Sequence, residues 1–192
     1  KKVIVAGSTH EGEEEIIVRV FERITKELPD IFLIIAPRHL DRVHLVEQIL
    51  KDKKIEFVKR SEITDKNIAS KVIILDTIGE LSVIYNLATV TFGGGSLVDI
   101  GGHNVMEPAF FEKPVLFGPF TENFRDITKA LIDRGGGIEV KTEEELYVSI
   151  KRLLVSDEEC RKIGKLAKKT VEECNLGSGS AMKYVDEIIK LL

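Results

Sequence analysis

The sequence predicts a doubly wound α/β domain, a Rossmann-like fold around a mostly parallel sheet. Short apolar runs rich in Val and Ile alternate along the chain with amphipathic stretches. Most of these runs are continuously apolar, which is typical of strands covered by helices on both faces. The repeated order of strand, helix and strand implies right-handed crossovers and a parallel sheet. The predicted strands are Val3 to Ala6, Ile31 to Ala36, Glu56 to Lys59, Val72 to Leu75, Thr89 to Phe92, Val115 to Phe117 and Ile138 to Val140.

The helices are predicted from apolar residues that recur every three or four positions. In the first, Ile16, Val20 and Ile24 form one stripe, and Pro29 ends the helix at Leu28 because proline disfavours helical geometry in the residue before it. The other predicted helices are Val43 to Leu50, a short one ending at Leu87, Ile127 to Ile132, Thr142 to Leu154, Asp157 to Cys174 and Ser178 to Leu192.

The segment from Asn175 to Ser180 is rich in Gly and Ser and is predicted to be a flexible break. We therefore divide the chain into a domain of residues 1–174 and a C-terminal helix within residues 175–192. Such a last helix either covers an edge of the sheet or reaches a partner domain, and the sequence leaves both open.

Composition favours one globular domain and excludes several classes of protein. The 192 residues are 43% apolar and 31% charged, with a net charge of −4. This balance excludes disordered and coiled-coil proteins and argues against a nucleic-acid partner, which needs excess Lys and Arg. No apolar run approaches the roughly 20 residues of a membrane span.

Cys160 and Cys174 lack the spacing of a metal site and are predicted to be reduced thiols. Because the chain opens with Lys1 rather than Met, we expect a piece of a longer polypeptide.

Ligands of open parallel sheets bind beyond the carboxyl ends of the strands, so the loops that follow the strands are the candidate binding sites. The loop after the first strand, Gly7 to Gly12, contains neither GxGxxG nor a P-loop, which argues against an NAD oxidoreductase. Three glutamates follow in the first turn of the helix and would repel a phosphate. This loop is therefore not expected to be the main phosphate cradle. Its Ser8, Thr9 and His10 either face an acceptor or sugar group or only cap the helix.

The loops after the second and fourth strands carry candidate ligand contacts. Arg38 follows a buried strand and offers a planar fork to a phosphate or carboxylate, unless it pairs with an acid such as Asp41. The role of His39 stays open. Gly79 would let a ligand approach free backbone N–H groups, whereas Glu80 would oppose an anion. That combination favours a base or a hydroxyl over a polyphosphate.

A glycine-rich segment follows the fifth strand, from Gly93 to Gly102. Its glycines imply close backbone approach or positive φ, conditions typical of anion nests. Asn104 and Glu107 lie one helical turn apart and point to the same side, where a carboxylate can accept the hydroxyls of a ribose. Ser96 lacks the GxSxG context of a nucleophile. No cluster has the spacing of metal ligands, so no protein-held metal or cofactor is predicted.

At these loops the sequence resembles the 3-deoxy-D-manno-octulosonic acid (Kdo) transferases, glycosyltransferases of lipopolysaccharide synthesis that use CMP-Kdo. The matching stretches keep the family's order over most of residues 3–125. They are Gly7-Ser8-Thr9-His10-Glu11-Gly12-Glu13-Glu14, Pro37-Arg38-His39, Asp76-Thr77-Ile78-Gly79-Glu80-Leu81, Gly94-Gly95-Ser96-Leu97, Gly101-Gly102-His103-Asn104, Glu107-Pro108-Ala109, Gly118-Pro119 and Asn123-Phe124.

The resemblance implies that this chain is the C-terminal, donor-binding half of a two-domain GT-B enzyme. It implies a general base and a membrane-associating segment in the N-terminal half, a lipid A precursor as acceptor, and work at the cytoplasmic face of the inner membrane. The fragment alone is then expected to bind donor without transferring it. The implied CMP contacts are Pro37, Arg38, Gly79, Glu80, Leu81, Gly94, Gly95, Ser96, Asn104, Val105, Met106 and Glu107.

Three rival interpretations stay open at this point. A UDP-sugar transferase or a sugar-nucleotide 2-epimerase would hold a diphosphate in the same loops. A non-catalytic nucleotide-binding module would keep the fold as a partner surface. The roles of His10, His39 and His103 toward the sugar are also undecided, as are the number of Kdo units transferred and the oligomeric state.

Overall fold

The computed structural model describes residues 1–64 and 70–176, which form one parallel sheet flanked by helices. The strands are β1 (Lys2–Thr9), β2 (Ile31–Pro37), β3 (Phe57–Lys59), β4 (Val72–Ile74), β5 (Val90–Gly93), β6 (Val115–Phe117) and β7 (Gly137–Glu139). Their order across the sheet is β3-β4-β2-β1-β5-β6-β7, and every neighbouring pair is parallel.

Helices cover both faces of the sheet. They are α1 (Glu13–Glu27), α2 (Val43–Asp52), α3 (Leu81–Ile84), α4 (Met106–Phe110), α5 (Arg125–Asp133), α6 (Glu143–Val155) and α7 (Asp157–Leu176). In β1, Ile4 and Ala6 pack in the core under α1, α2 and α6. Val5 faces the other side, where it packs with Tyr85 in the turn after α3. Because neighbouring residues of a strand point to opposite faces, a strand buried on both sides must be apolar throughout.

Helix α1 shows how local sequence sets an element. Its stripe places Ile17 and Ile24 in the core, at 4% and 0% exposure. The helix ends at Glu27, and Leu28 caps it with its N–H on the carbonyl of Ile24. Pro29 then directs the chain into β2, because the residue before a proline avoids helical geometry.

The strand order places a ligand crevice at the carboxyl end of β1. From β1 the chain moves to β2, β3 and β4 on one side of the sheet, and then crosses to β5 on the other side. The loops after β1 and β5 therefore leave the sheet in opposite directions. At such a switch point, open α/β sheets bind their ligands.

The predicted fold class is confirmed, and all seven predicted strands are present, with each end shifted by no more than one residue except the end of β1. The largest difference is in β1, which continues through Gly7 and Ser8 to Thr9 rather than ending at Ala6. The pairing of β1 with β2 is irregular between Gly7 and Thr9, and Ser8 has a φ of 56°. A β-bulge of this kind lets the strand turn its last residues toward the crevice.

Helix α7 continues to Leu176, so Asn175 and Leu176 belong to the helix rather than to the predicted break, whose remaining residues lie outside the described part of the chain. The predicted helix from Ser178 to Leu192 lies outside the described residues, and the division of the chain at residue 174 stays a prediction. Among the helices that the structure describes, none combines the length and apolar character needed to cross a membrane.

Candidate functional site

An open cleft of about 610 Å³ lies at the carboxyl ends of β1, β2 and β4. It brings together three of the predicted loops, which are 30 to 70 residues apart in the chain. Its walls are Ser8, Ala36, Pro37, Arg38, His39, Leu40, Asp41, Leu75, Thr77, Ile78, Gly79 and Leu81.

Arg38 is the cationic group of this cleft. Pro37 is buried at the end of β2, and the Arg38 side chain is exposed directly after it. The Arg38 backbone N–H donates to the carbonyl of Thr9 at 3.0 Å, which fixes the loop against β1. Within residues 1–64 and 70–176, no carboxylate oxygen lies within 4 Å of its guanidinium, so the alternative pairing with Asp41 is not formed. The guanidinium is free to meet an anionic ligand.

The neighbouring Arg42, rather than Arg38, forms ion pairs with glutamates of this region. Its guanidinium donates to the buried Glu14 at 2.7 Å and to the exposed Glu11 at 3.3 Å. Glu14 is 0% exposed, and Thr9 also donates to it at 3.3 Å. This pair ties the loop after β2 to the start of α1, and both carboxylates are held by Arg42.

The loop after β4 is held in place by a second arginine. Gly79 has a φ of 85°, a conformation that glycine adopts at little cost. Glu80 accepts from Arg60 at 2.8 Å and from the Thr77 hydroxyl. The positive charge of Arg60 offsets the repulsion that Glu80 was expected to exert on an anion. Sequence reasoning missed Arg60, because 20 residues separate it from Glu80 and no motif links them.

The glycine loop after β5 does form an anion nest, but a carboxylate of the protein itself fills it. Glu13 accepts backbone N–H groups from Gly95 at 2.7 Å, from Ser96 at 3.0 Å and from Leu97 at 3.0 Å. It also accepts the N–H of His10 at 3.0 Å. Burial raises the pKa of Glu13, whereas these four amide bonds lower it. The expectation that the amides of Gly95 and Ser96 are free to hold a donor phosphate is therefore wrong.

The glycines of this loop allow its backbone to approach the end of β1 closely, as the glycine-rich composition predicts. The N–H of Gly94 donates to the carbonyl of Gly7 at 2.8 Å, and a Cβ at Gly94 would lie 2.2 Å from the carbonyl oxygen of Ser8. Gly95 has a φ of 68°. Ser96 is buried, and its hydroxyl is engaged between the carbonyl of Gly93 and the N–H of Gly118. These contacts lock the loop after β5 onto the end of β1.

The predicted Asn104–Glu107 pair is present, with Asn104 just before α4 and Glu107 in its first turn. Asn104 donates to Glu107 at 3.0 Å and accepts the N–H of Met106 at 2.9 Å. Burial raises the pKa of Glu107, because few water molecules reach its carboxylate. Val105 differs from the prediction, since it is 2% exposed and packs in the core with α4 and α7 rather than facing the cleft.

Three of the four histidines of the chain gather beside the cleft. The Nε2 atoms of His10 and His103 lie 2.7 Å apart, with the rings nearly parallel and their centroids 5.0 Å apart. His39 meets the edge of His10 at a centroid distance of 5.8 Å. Burial, and then the charges of His10, Arg38 and His39, lower the pKa of His103 to about 4. Within the described ranges, no set of three or more His, Cys, Asp or Glu is arranged to hold a metal.

The histidine pair makes folding stability depend on pH. The pKa of His103 falls from 6.5 to about 4 in the folded chain, so the unfolded chain binds more protons between these values. Stability is then fully present above pH 6.5 and declines as the pH falls toward 4. We expect His103 to contribute ~1–2 kcal/mol of this loss, after allowance for solvent around the half-buried ring. Urea denaturation at pH 7.0 and pH 4.5 should show a smaller loss for His103→Gln than for the unchanged chain; equal losses would contradict the assignment.

No family model matches the chain, but individual proteins do. The bifunctional glycosyltransferase/methyltransferase of Fusobacterium nucleatum is 42% identical over 155 residues, 80% of this chain and 24% of that protein. The 3-deoxy-D-manno-octulosonic acid transferase of Haemophilus influenzae is 37% identical over 165 residues, 85% of this chain and 39% of that protein. The transferase of the same name from Aquifex aeolicus is 37% identical and covers 79% of this chain and 41% of its own length. The chain thus spans less than half the length of these relatives.

Solved structures agree with this relationship. The C-terminal CMP-Kdo binding domain of WaaA from Acinetobacter baumannii matches with a TM-score of 0.82 and 28% identity, over 89% of each chain. The TarM structure from S. aureus matches 90% of this chain with a TM-score of 0.67 and 15% identity, which supports the GT-B fold alone. The chain is therefore similar over most of its length to the 3-deoxy-D-manno-octulosonic acid transferases, and its fold matches the C-terminal domain of one of them.

Proposed function

We propose that this chain is the donor-binding half of a glycosyltransferase that moves Kdo from CMP-Kdo to a hydroxyl of a lipid A precursor. The observation that carries the proposal is the exposed Arg38 guanidinium on the wall of the 610 Å³ cleft, which no carboxylate of the described residues pairs. The likeness to a CMP-Kdo binding domain supports the same ligand.

In this proposal each loop of the rim binds one part of the donor. Pro37 and Arg38 hold the phosphate, and Gly79, Glu80 and Leu81 hold the nucleotide. The Asn104–Glu107 turn holds the ribose, with Glu107 accepting its hydroxyls. Because Glu13 occupies the amides of the glycine loop, the phosphate depends on Arg38 more than the sequence suggested.

Arg38 also gives the proposal its chemistry. As the glycosidic bond breaks, negative charge builds on the phosphate of the departing CMP. A guanidinium already in place stabilises that charge in the transition state without needing a protein-bound metal or cofactor. The family resemblance implies that the general base for the acceptor hydroxyl is a carboxylate outside this chain. We therefore assign that base to the other half of the whole protein, which we place at the cytoplasmic face of the inner membrane.

Titration calorimetry with CMP and UDP tests the donor assignment. We expect the chain to bind CMP at least ~10-fold more tightly than UDP, because the rim offers one free guanidinium for one phosphate and the amides that a second phosphate would use are occupied. UDP binding as tight as CMP binding would favour a UDP-sugar enzyme of the same fold. Joining the chain to its N-terminal half and assaying Kdo transfer to a lipid A precursor then tests the reaction itself.

A further inference from the structure

The histidine cluster, defined as His10, His39 and His103, is a group of donors beside the cleft that the nucleotide contacts do not use. The fourth histidine, His44, lies apart from it on the exposed side of α2. His39 belongs to the cleft wall, and the ring of His10 contacts both His39 and His103. The cluster therefore adjoins the cleft in which we place the phosphate.

Gly95 supports the cluster from below. A Cβ at Gly95 would lie 3.0 Å from Cδ2 of His103 and 3.5 Å from Cδ2 of His10. The absence of a side chain there lets both rings rest on the loop after β5. Glu13 fixes this loop through its amides, and it also accepts the N–H of His10. The pair is thus preorganised by two loops that start 80 residues apart.

The charges around the cluster favour an anion. Arg38 is close enough for its charge to lower the pKa of both His10 and His103. Two of the acids nearby are engaged, because Glu13 holds backbone amides and Glu14 pairs with Arg42, whereas Asp41 on the cleft wall is exposed and forms no ion pair among the described residues. Burial and then the charge of His39 lower the pKa of His10; Glu14 raises it, and Arg42 and Arg38 oppose Glu14. No carboxylate among the described residues accepts a hydrogen bond from the three rings.

We propose that the histidine cluster binds the carboxylate of a sugar acid, next to the phosphate that Arg38 holds. This inference rests on the proposed function and adds to it the feature that distinguishes the sugar. In the neutral pair one Nε2 donates to the other, so one further proton makes both rings donors toward an anion. A bound carboxylate supplies the negative charge that this protonation needs, and a neutral sugar supplies none.

The carboxylate proposal predicts coupling between ligand and proton. Binding of the sugar acid raises the pKa of the histidine pair, so the complex takes up a proton near neutral pH. The affinity for the sugar acid therefore falls as the pH rises from 6 to 8. CMP carries no carboxylate, so we expect its binding to leave the protonation of the histidine pair unchanged.

Calorimetry at pH 7.5 with CMP and CMP-Kdo tests the inference. Both ligands carry close to two negative charges at this pH, on one phosphate in CMP and on phosphate plus carboxylate in CMP-Kdo. We expect His10→Gln and His103→Gln to weaken CMP-Kdo about 10-fold and CMP less than about twofold. His44→Gln is the matched control and should change neither affinity. Imidazole ¹⁵N shifts should move toward the protonated form with CMP-Kdo and stay unchanged with CMP.

The outcomes separate this inference from the proposed function. Equal weakening of both ligands, or no weakening of either, would overturn the carboxylate subsite while CMP binding by the unchanged chain still supported the donor site. If the unchanged chain bound no CMP, both proposals would fall. Thermal denaturation of each variant checks that the fold is retained. If His103→Gln does not retain the fold, His103→Phe replaces it, because phenylalanine keeps an aromatic ring on Gly95.

Discussion

Replacing Glu13 with alanine is expected to lower the free energy of unfolding by about 4 kcal/mol. The substitution removes the acceptor of four backbone N–H groups, those of His10, Gly95, Ser96 and Leu97. Glu13 is 0% exposed, so water does not readily take its place. Each buried donor left without a partner costs about 1–3 kcal/mol, and partial relaxation keeps the total below the sum.

Urea denaturation followed by circular dichroism measures this change. Glu11→Ala is the matched control, because Glu11 lies two residues earlier with a side chain that is 85% exposed and one ion pair to Arg42. Exposed pairs contribute little, so we expect a loss below about 1 kcal/mol for the control. Glu13→Gln keeps the shape of the side chain and one acceptor oxygen, and should lie between the two. A loss below about 1 kcal/mol for Glu13→Ala would show that the nest does not depend on Glu13.

The parallel sheet is the part of the structure that local sequence predicts best. Runs such as Ile31 to Ala36 are apolar at every position, and a strand covered on both faces buries all of this run except Phe32, which is half-buried. The end of α1 was predictable for a local reason as well, since Pro29 acts on its neighbour in the chain. The end of β1 was not, because the strand is extended through Thr9 by pairing with Pro37, a contact between distant segments.

Glu13 shows why the glycine loop was misinterpreted. Its composition correctly predicted an anion nest, with Gly95 at positive φ and Gly94 against the carbonyl of Ser8. The occupant of the nest lies 82 residues earlier in the chain. The helix dipole is a sufficient local explanation for the three glutamates at the start of α1. Nothing in the sequence therefore indicated that Glu13 contacts the loop after β5.

The contact between His10 and His103 was also not predictable from the sequence. His10 and His103 each stand in a polar loop, and neither has a spacing that identifies its role. Their contact at 2.7 Å depends on β1 and β5 being neighbours, which is a property of the strand order. The loops that carry chemistry were therefore predictable from the fold class, whereas the pairing of side chains between loops required the structure.

Arg38→Ala is expected to weaken CMP binding about 30- to 100-fold while changing the affinity for cytidine less than about twofold. A charge-assisted contact between a guanidinium and a phosphate contributes about 2–3 kcal/mol to the binding free energy where no other cation contacts the phosphate. Arg42 does not share it, because Glu14 and Glu11 hold its guanidinium. Cytidine lacks the phosphate, so it measures the rest of the nucleotide site alone.

Titration of both ligands into the chain and its variants by calorimetry decides whether Arg38 is the phosphate ligand. Arg161→Ala is the matched control, because Arg161 is exposed and lies far from the cleft. It stands near the start of α7, where Cys160 contacts the carbonyl of Thr89. Thr89 lies at the amino end of β5, which is the opposite end of the sheet. It should leave both affinities unchanged. Arg38→Lys should retain part of the CMP affinity, because an ammonium keeps the charge and loses the fork. If Arg38→Ala weakened cytidine as much as CMP, Arg38 would be shaping the cleft rather than binding the phosphate, and the donor assignment would lose its main support.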